Sequence, residues 1–174
     1  VFWSLEDESL LENKLNAVEH AMKKSVEYQY IQYQSVKNYI ESIGVNKDIH
    51  IGETGWSSVA TDLYGDEGTH AADEYKQAIY FNLTTDLCKS LQISCFYFSA
   101  FDEPWKDSSN ESGSENHFGL FTVEGKAKYA LWNSVDSGTF QGLGRNGKPV
   151  EKTYGGNEEE LIGRVKAPKI RGME

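Results

Sequence analysis

Apolar residues recur at intervals of three and four along Leu10 to Ile43. Leu11, Leu15, Val18, Met22, Val26, Tyr30, Tyr33, Val36 and Ile40 share one helical face, and Gly44 supplies a stop. The pattern then changes period. Ile49-His50-Ile51-Gly52 reads as a short strand ending on Glu53. His70 to Leu91 returns to helical spacing through Ala71, Tyr75, Ala78, Ile79, Leu83 and Leu87. Ile93 to Phe101 is a nearly unbroken apolar and aromatic run, predicting a strand buried on both faces that ends on Asp102-Glu103. Ala127 to Asn133 predicts a last short helix. Strand, helix, strand and helix in alternation predict a parallel α/β fold, in which functional side chains gather where strands end.

The chain has 174 residues, enough for one domain with a real core. Its charge is uneven: residues 1–140 hold 10 Lys+Arg against 22 Asp+Glu, and residues 141–174 hold 7 against 5. Seven of the 16 glycines fall between Gly138 and Gly163. A domain over 1–138 is therefore expected, followed by a Gly-rich extension or linker over 139–174 with at most one short element at 158–165. The net charge of −10 argues against nucleic acid as a partner. No apolar run approaches the ~18 residues of a membrane span. Cys88 and Cys95 frame no disulfide scaffold and predict buried thiols.

Two strands end on a glutamate, and this is the most informative feature of the chain. Ile49 to Trp56 reads IHIGETGW, placing Glu53 beside Trp56. Phe98 to Lys106 reads FSAFDEPWK, crowding Asp102, Glu103, Trp105 and Lys106 at the next strand end. Either stretch could be a solvated turn. Together they give paired carboxylates with aromatic rings, the groups glycoside hydrolysis uses for nucleophilic attack, proton transfer and stacking on sugar faces. The four histidines show no metal-ligand spacing, so neither metal nor other cofactor is expected. Gly142 to Gly147 spells GxGxxG, but it lacks a preceding strand and a following apolar helix.

Four stretches in order resemble glycoside hydrolase family 17, the β-1,3-glucanases and related glucan-modifying enzymes. Ile51–Ser58 (IGETGWSS) resembles the segment around the family's nucleophile, with Ser57 where Pro is common. Ala100–Lys106 (AFDEPWK) and Glu115–Phe121 (ENHFGLF) resemble the segments that follow, and Val1-Phe2-Trp3 resembles the end of an earlier strand. The resemblance covers roughly residues 1–135 and implies a (β/α)8 TIM barrel, of which this chain would be the C-terminal portion, about three strand–helix units. It implies Glu53 as nucleophile, with Glu103, Lys106 and Glu115 as a supporting carboxylate–ammonium network. Phe2, Trp3, Trp56, Trp105 and Phe118 become candidates for substrate contact. The family's acid/base lies in an Asn-Glu pair upstream of the nucleophile. Here the only such pairs, Asn110-Glu111 and Asn157-Glu158, follow Glu53. The expectation is thus a fragment of a retaining enzyme acting on β-glucan, inactive alone and extracellular, in the cell wall or periplasmic. A β-glucan transglycosylase or a non-catalytic glucan-binding piece stays open, and oligomeric state is not legible.

Overall fold

The computed structural model describes residues 4–5, 13–59, 70–167 and 169–170. Asn13 opens the first helix, α1 (Lys14–Ser42), by accepting hydrogen bonds from the Leu15 and Asn16 amides. Its first half buries Ala17, Val18, Ala21, Met22, Ser25 and Val26 at helical spacing. Its second half departs from the expected apolar face, leaving Tyr30 and Val36 exposed and Tyr33 and Ile40 only half-buried. The reason is packing: the buried core gathers around the first half alone. Gly44, with φ +73°, ends the helix region as the sequence predicts.

Short parallel strands carry the next layer. β2 (Ile51–Thr54) follows β1 (Ser4–Leu5), and α2 (Glu74–Leu91) leads into β3 (Cys95–Tyr97). Asp73 caps α2 through the Lys76 amide, and Gln92 closes it in the left-handed region at φ +54°. β2 pairs with β3 in parallel, Ile51 opposite Cys95 and Thr54 opposite Tyr97. One face of this pair meets the helices. There the Thr54 hydroxyl lies 2.9 Å from Tyr80 Oη, and the Tyr97 ring packs edge-on against Phe81. The other face is open, with Phe96 69% exposed, so the strand expected to be buried on both faces is buried on one. Its regular part is also shorter than Ile93–Phe101. Phe98 still donates to the Thr54 carbonyl, but Ser99 N–H turns to Phe118 O and Asp102 N–H to Phe121 O.

The last third of the chain folds back over α1 and α2. The expected helix after Ala127 is a 3-10 turn at Tyr129–Leu131 running into α3 (Trp132–Asp136). β4 (Gly144–Arg145) and β5 (Lys148–Pro149) form a hairpin, with Asn146 and Gly147 at φ +52° and +75° in its turn. The GxGxxG letters therefore spell a two-residue hairpin turn. α4 (Glu158–Arg164) occupies the short element expected at 158–165, and β6 (Lys169–Ile170) pairs in parallel with β1. Val165 completes the hydrophobic cluster of Val18, Ala21, Met22, Val26 and Tyr80. The fully buried Lys76 is neutralised by Asp73 and donates to Lys166 O at 2.8 Å. Its pKa is lowered, chiefly by burial. Lys14 Nζ donates to Ile162 O at 2.9 Å. Among the described residues no helix is long and apolar enough to cross a membrane.

Leu161 is 2% exposed and Leu143 60% exposed, so the two report separately on this return segment. Leu161→Ala should lower stability by about 2–5 kcal/mol in urea unfolding, whereas Leu143→Ala should leave it nearly unchanged.

Candidate active site

Glu53 sits where the ladder between β2 and β3 is irregular. Three residue steps from Ile51 to Thr54 oppose two from Cys95 to Tyr97. A bulge of this kind re-aims a side chain, and it is common beside active sites. Thr54 is committed to the helical side, bonding Tyr80 and Gln29. Glu53 is exposed and, among the described residues, has no hydrogen-bond or ion-pair partner.

The strand end after β3 places the next groups. The Lys106 ammonium lies 3.4 Å from Glu103 Oε2 and 4.0 Å from the centre of the Phe98 ring. Phe98 is the residue whose amide bonds Thr54 O, so this cation–π contact is one residue across the ladder from Glu53. Glu103 Oε2 is buried without a hydrogen-bond partner among the described residues, so the nearby ammonium is its compensation. Phe118 lies 5.5 Å from Phe98, ring centre to ring centre. Trp105 is 67% exposed on the same loop. Glu115 is exposed on a 3-10 turn, Ser114–Asn116. Trp56 turns toward the core instead, with its indole N–H on Ala71 O and its ring 5.0 Å from Tyr80. Phe2 and Trp3 lie outside the described residues.

Two glycines let these loops approach. A Cβ on Gly55 would overlap the Phe98 carbonyl and touch the Phe118 ring, and one on Gly119 would overlap the backbone of Phe101 and Asp102. Gly55, the second glycine of GETGW, is therefore a packing requirement, whereas Gly52 faces open space.

Asn116, Lys128 and Glu74, which help fix the loops, are not singled out by the sequence. Asn116 is 2% exposed and accepts from Asp107 N–H while donating to the Asp107 and Asn110 carbonyls. Its own carbonyl accepts from Glu103 N–H. Lys128 is 2% exposed, and its ammonium meets Asp102 Oδ1 at 2.6 Å, Ser58 Oγ at 2.7 Å and His117 O at 3.3 Å. Burial lowers the Lys128 pKa, and Asp102 opposes that fall. Asp102 Oδ1 also accepts from Gly119 N–H. Glu74, half-buried beside this pair, accepts from Tyr129 N–H and the Thr153 hydroxyl, and burial raises its pKa. Ser57, standing where the family often has Pro, shares its one hydroxyl hydrogen between Val59 O at 2.6 Å and Ser114 O at 2.9 Å.

Carboxylates at the ends of parallel strands, backed by an ammonium and flanked by aromatic rings, make up the kind of site found in glycosyl hydrolases built on α/β barrels. The glycosyl hydrolases family 17 model matches residues 20–132, and the chain belongs to that family. Membership implies the TIM barrel, of which this chain contains a part. Among curated relatives, it is similar to a glucan 1,3-beta-glucosidase of Arthroderma benhamiae, 34% identical over 93 residues, 49% of this chain and 28% of the relative. A Saccharomyces cerevisiae glucan 1,3-beta-glucosidase is 32% identical over 82 residues, 47% of this chain and 25% of the relative. Among solved structures, an endo-laminarinase from Formosa Hel1_33_131 shares 50% identity and a TM-score of 0.92, covering 98% of this chain and 44% of that one. The chain thus matches about a quarter of the length of these curated relatives.

Removing Lys128 would leave Asp102 buried without its ammonium partner, with only Gly119 N–H and the His117 ring beside it. Lys128→Met should cost about 3–5 kcal/mol in chemical denaturation, and adding Asp102→Asn should recover much of that loss. His117 tests the same cluster by pH. Its Nε2–H donates to Glu111 O at 2.7 Å, and its Nδ1 lies 3.8 Å from Asp102 Oδ2, which raises the imidazole pKa. The protonated ring is favoured in the folded state, so its contribution is full below about pH 6.5 and is lost as pH rises through the raised value. The Tm deficit of His117→Gln should therefore be larger at about pH 5.5 than at about pH 8.

Proposed function

We propose that this chain carries the nucleophile side of a retaining glycoside hydrolase site acting on β-1,3-glucan. It corresponds to about three strand–helix units at the C-terminal end of the barrel. Residues 1–138 supply those units, and 139–174 follow as an extension that folds back over α1 and α2. Glu53 attacks the anomeric carbon and forms the glycosyl-enzyme. The Glu103–Lys106 pair and Glu115 form the carboxylate–ammonium network around it. Trp105, Phe118 and Phe98 offer ring faces to the sugar.

The observation that carries this reading is Glu53 itself. Without a partner among the described residues, it lies in the irregular register of β2, beside a strand end where an ammonium is held between a carboxylate and an aromatic ring. A retaining mechanism needs a second carboxyl roughly 5–5.5 Å away to protonate the leaving oxygen. That acid/base lies on a strand outside these residues, so the 174-residue chain alone does not turn over substrate. The site works outside the cell or in its wall or periplasm, where β-glucan is met. Hydrolysis and transglycosylation share the glycosyl-enzyme and differ in the acceptor that reaches it.

The test is laminarin turnover by the full-length protein, its Glu53→Gln variant and the isolated chain. Glu53→Gln should abolish turnover, and the isolated chain should show none. A Glu53→Gln enzyme keeping most of the normal rate would sink the assignment.

A further inference from the structure

Beneath the two loops of the site lies a side chain with no place in the chemistry. Gln77, in the first turn of α2, is completely buried. Its amide nitrogen lies 2.9 Å from Trp56 O, 3.2 Å from Phe118 O and 3.1 Å from Gly119 O. This orientation is fixed by chemistry, because the flipped amide would set an oxygen against three carbonyl oxygens. Two N–H bonds serve three acceptors, so one hydrogen is shared. On the other side of the amide, Oε1 is buried without a partner among the described residues. A core polar group chosen for stability alone has both its donors and its acceptor met. Here the donors are saturated and the acceptor is abandoned.

The carbonyls come from the two walls of the proposed site. Trp56 follows Glu53 by three residues, and Phe118 follows Glu115 by three and faces Phe98, over which Lys106 sits. Three carbonyl dipoles converging on one point repel one another, and a donor between them offsets that repulsion. It acts alongside the bonds from Ser57 to Ser114 O and from Ser58 N–H to His117 O, which join the same walls nearer the surface. Building on the reading of Glu53 as nucleophile, we propose that Gln77 is a positioning residue, setting the distance between the Glu53 loop and the Glu115–Phe118 wall through its amide N–H groups. It touches neither substrate nor reacting atoms. Its effect on rate comes from geometry, since displacing reacting groups by ~1 Å can cost about a hundredfold.

The experiment uses the full-length protein, with laminarin turnover and circular dichroism measured across pH. Gln77→Met keeps the length of the side chain and removes the donors. It should fold and lose at least about tenfold in kcat, with a smaller change in KM. Gln77→Glu supplies a donor only while protonated, and its burial among carbonyls holds that proton above the ordinary carboxyl range. Relative to the wild type at the same pH, its kcat should approach the normal value on the acidic side and fall as the carboxyl at position 77 ionises, whereas the ratio of Gln77→Met to the wild type should not change with pH. Packing alone would not produce that pH-dependent ratio.

A folded Gln77→Met enzyme with kcat within about twofold of normal would overturn the proposal. So would a Gln77→Glu profile parallel to the wild type. Failure of both variants to fold at any pH would also overturn it, by making the amide a core element rather than a setter of the site. Glu53→Gln in the same assay separates the two readings. If that variant is active, the nucleophile reading fails; if it is dead while Gln77→Met is normal, the positioning proposal fails alone.

Discussion

An ammonium is poorly suited to a protein interior, yet Lys128 carries one to a point where water barely reaches it. What makes the position tolerable is full occupancy of its donors. Asp102 supplies the opposite charge, while Ser58 and His117 supply neutral oxygens. These partners come from three separate stretches: the loop after β2, the strand end after β3 and the segment leading to Phe121. Each stretch also bears a candidate group of the site, since Glu53 precedes Ser58, Glu103 follows Asp102, and Glu115 precedes His117. The short strands cannot align these loops alone, because the regular ladder is only a few residues long. Side chains take over where the ladder stops.

Most of those side chains belong to α2 or touch it. Its capping Asp73 neutralises Lys76, which reaches the segment before β6. Glu74 reaches Tyr129 and Thr153, Gln77 the two loops, Tyr80 the bulged strand, and Thr84 the Gln29 amide on α1. A helix whose buried face includes Lys76, Gln77 and Thr84 has a weak apolar pattern, and its cohesion is correspondingly polar.

The sequence reveals the elements in proportion to how far their neighbours were local. The first half of α1 follows its apolar spacing, and Gly44 ends α1 as expected. α2 forms where its spacing predicts, but its most buried positions are Lys76, Gln77, Ala78, Tyr80, Thr84 and Cys88, while Tyr75, Ile79, Leu83 and Leu87 are only half-buried. The second half of α1 has the same spacing but stays largely exposed, because periodicity reports a face and not its partner. Glu53, Glu103 and Lys106 were legible because they end strands. The contact of Lys106 with Phe98 and the bulge at Glu53 were not, since both depend on the register between β2 and β3. Gln77, Asn116 and Lys128 are ordinary polar letters in the sequence. Their importance arises from carbonyls, a carboxylate and a hydroxyl contributed by residues up to 70 positions away.

The return of residues 161–167 over the helices has a meaning for biosynthesis. Lys14 waits for the carbonyl of Ile162, 148 residues downstream, and His70 for that of Ala167. Translation proceeds at about 5–20 residues per second, so several seconds separate the emergence of α1 from that of its covering residues. During that interval Val18 and Met22 lack the contact with Val165, and the Lys76 ammonium lacks the Lys166 carbonyl. The nascent chain therefore passes through a stage with both long helices made and their shared surface still wet, the stage at which a holdase chaperone has something to grip.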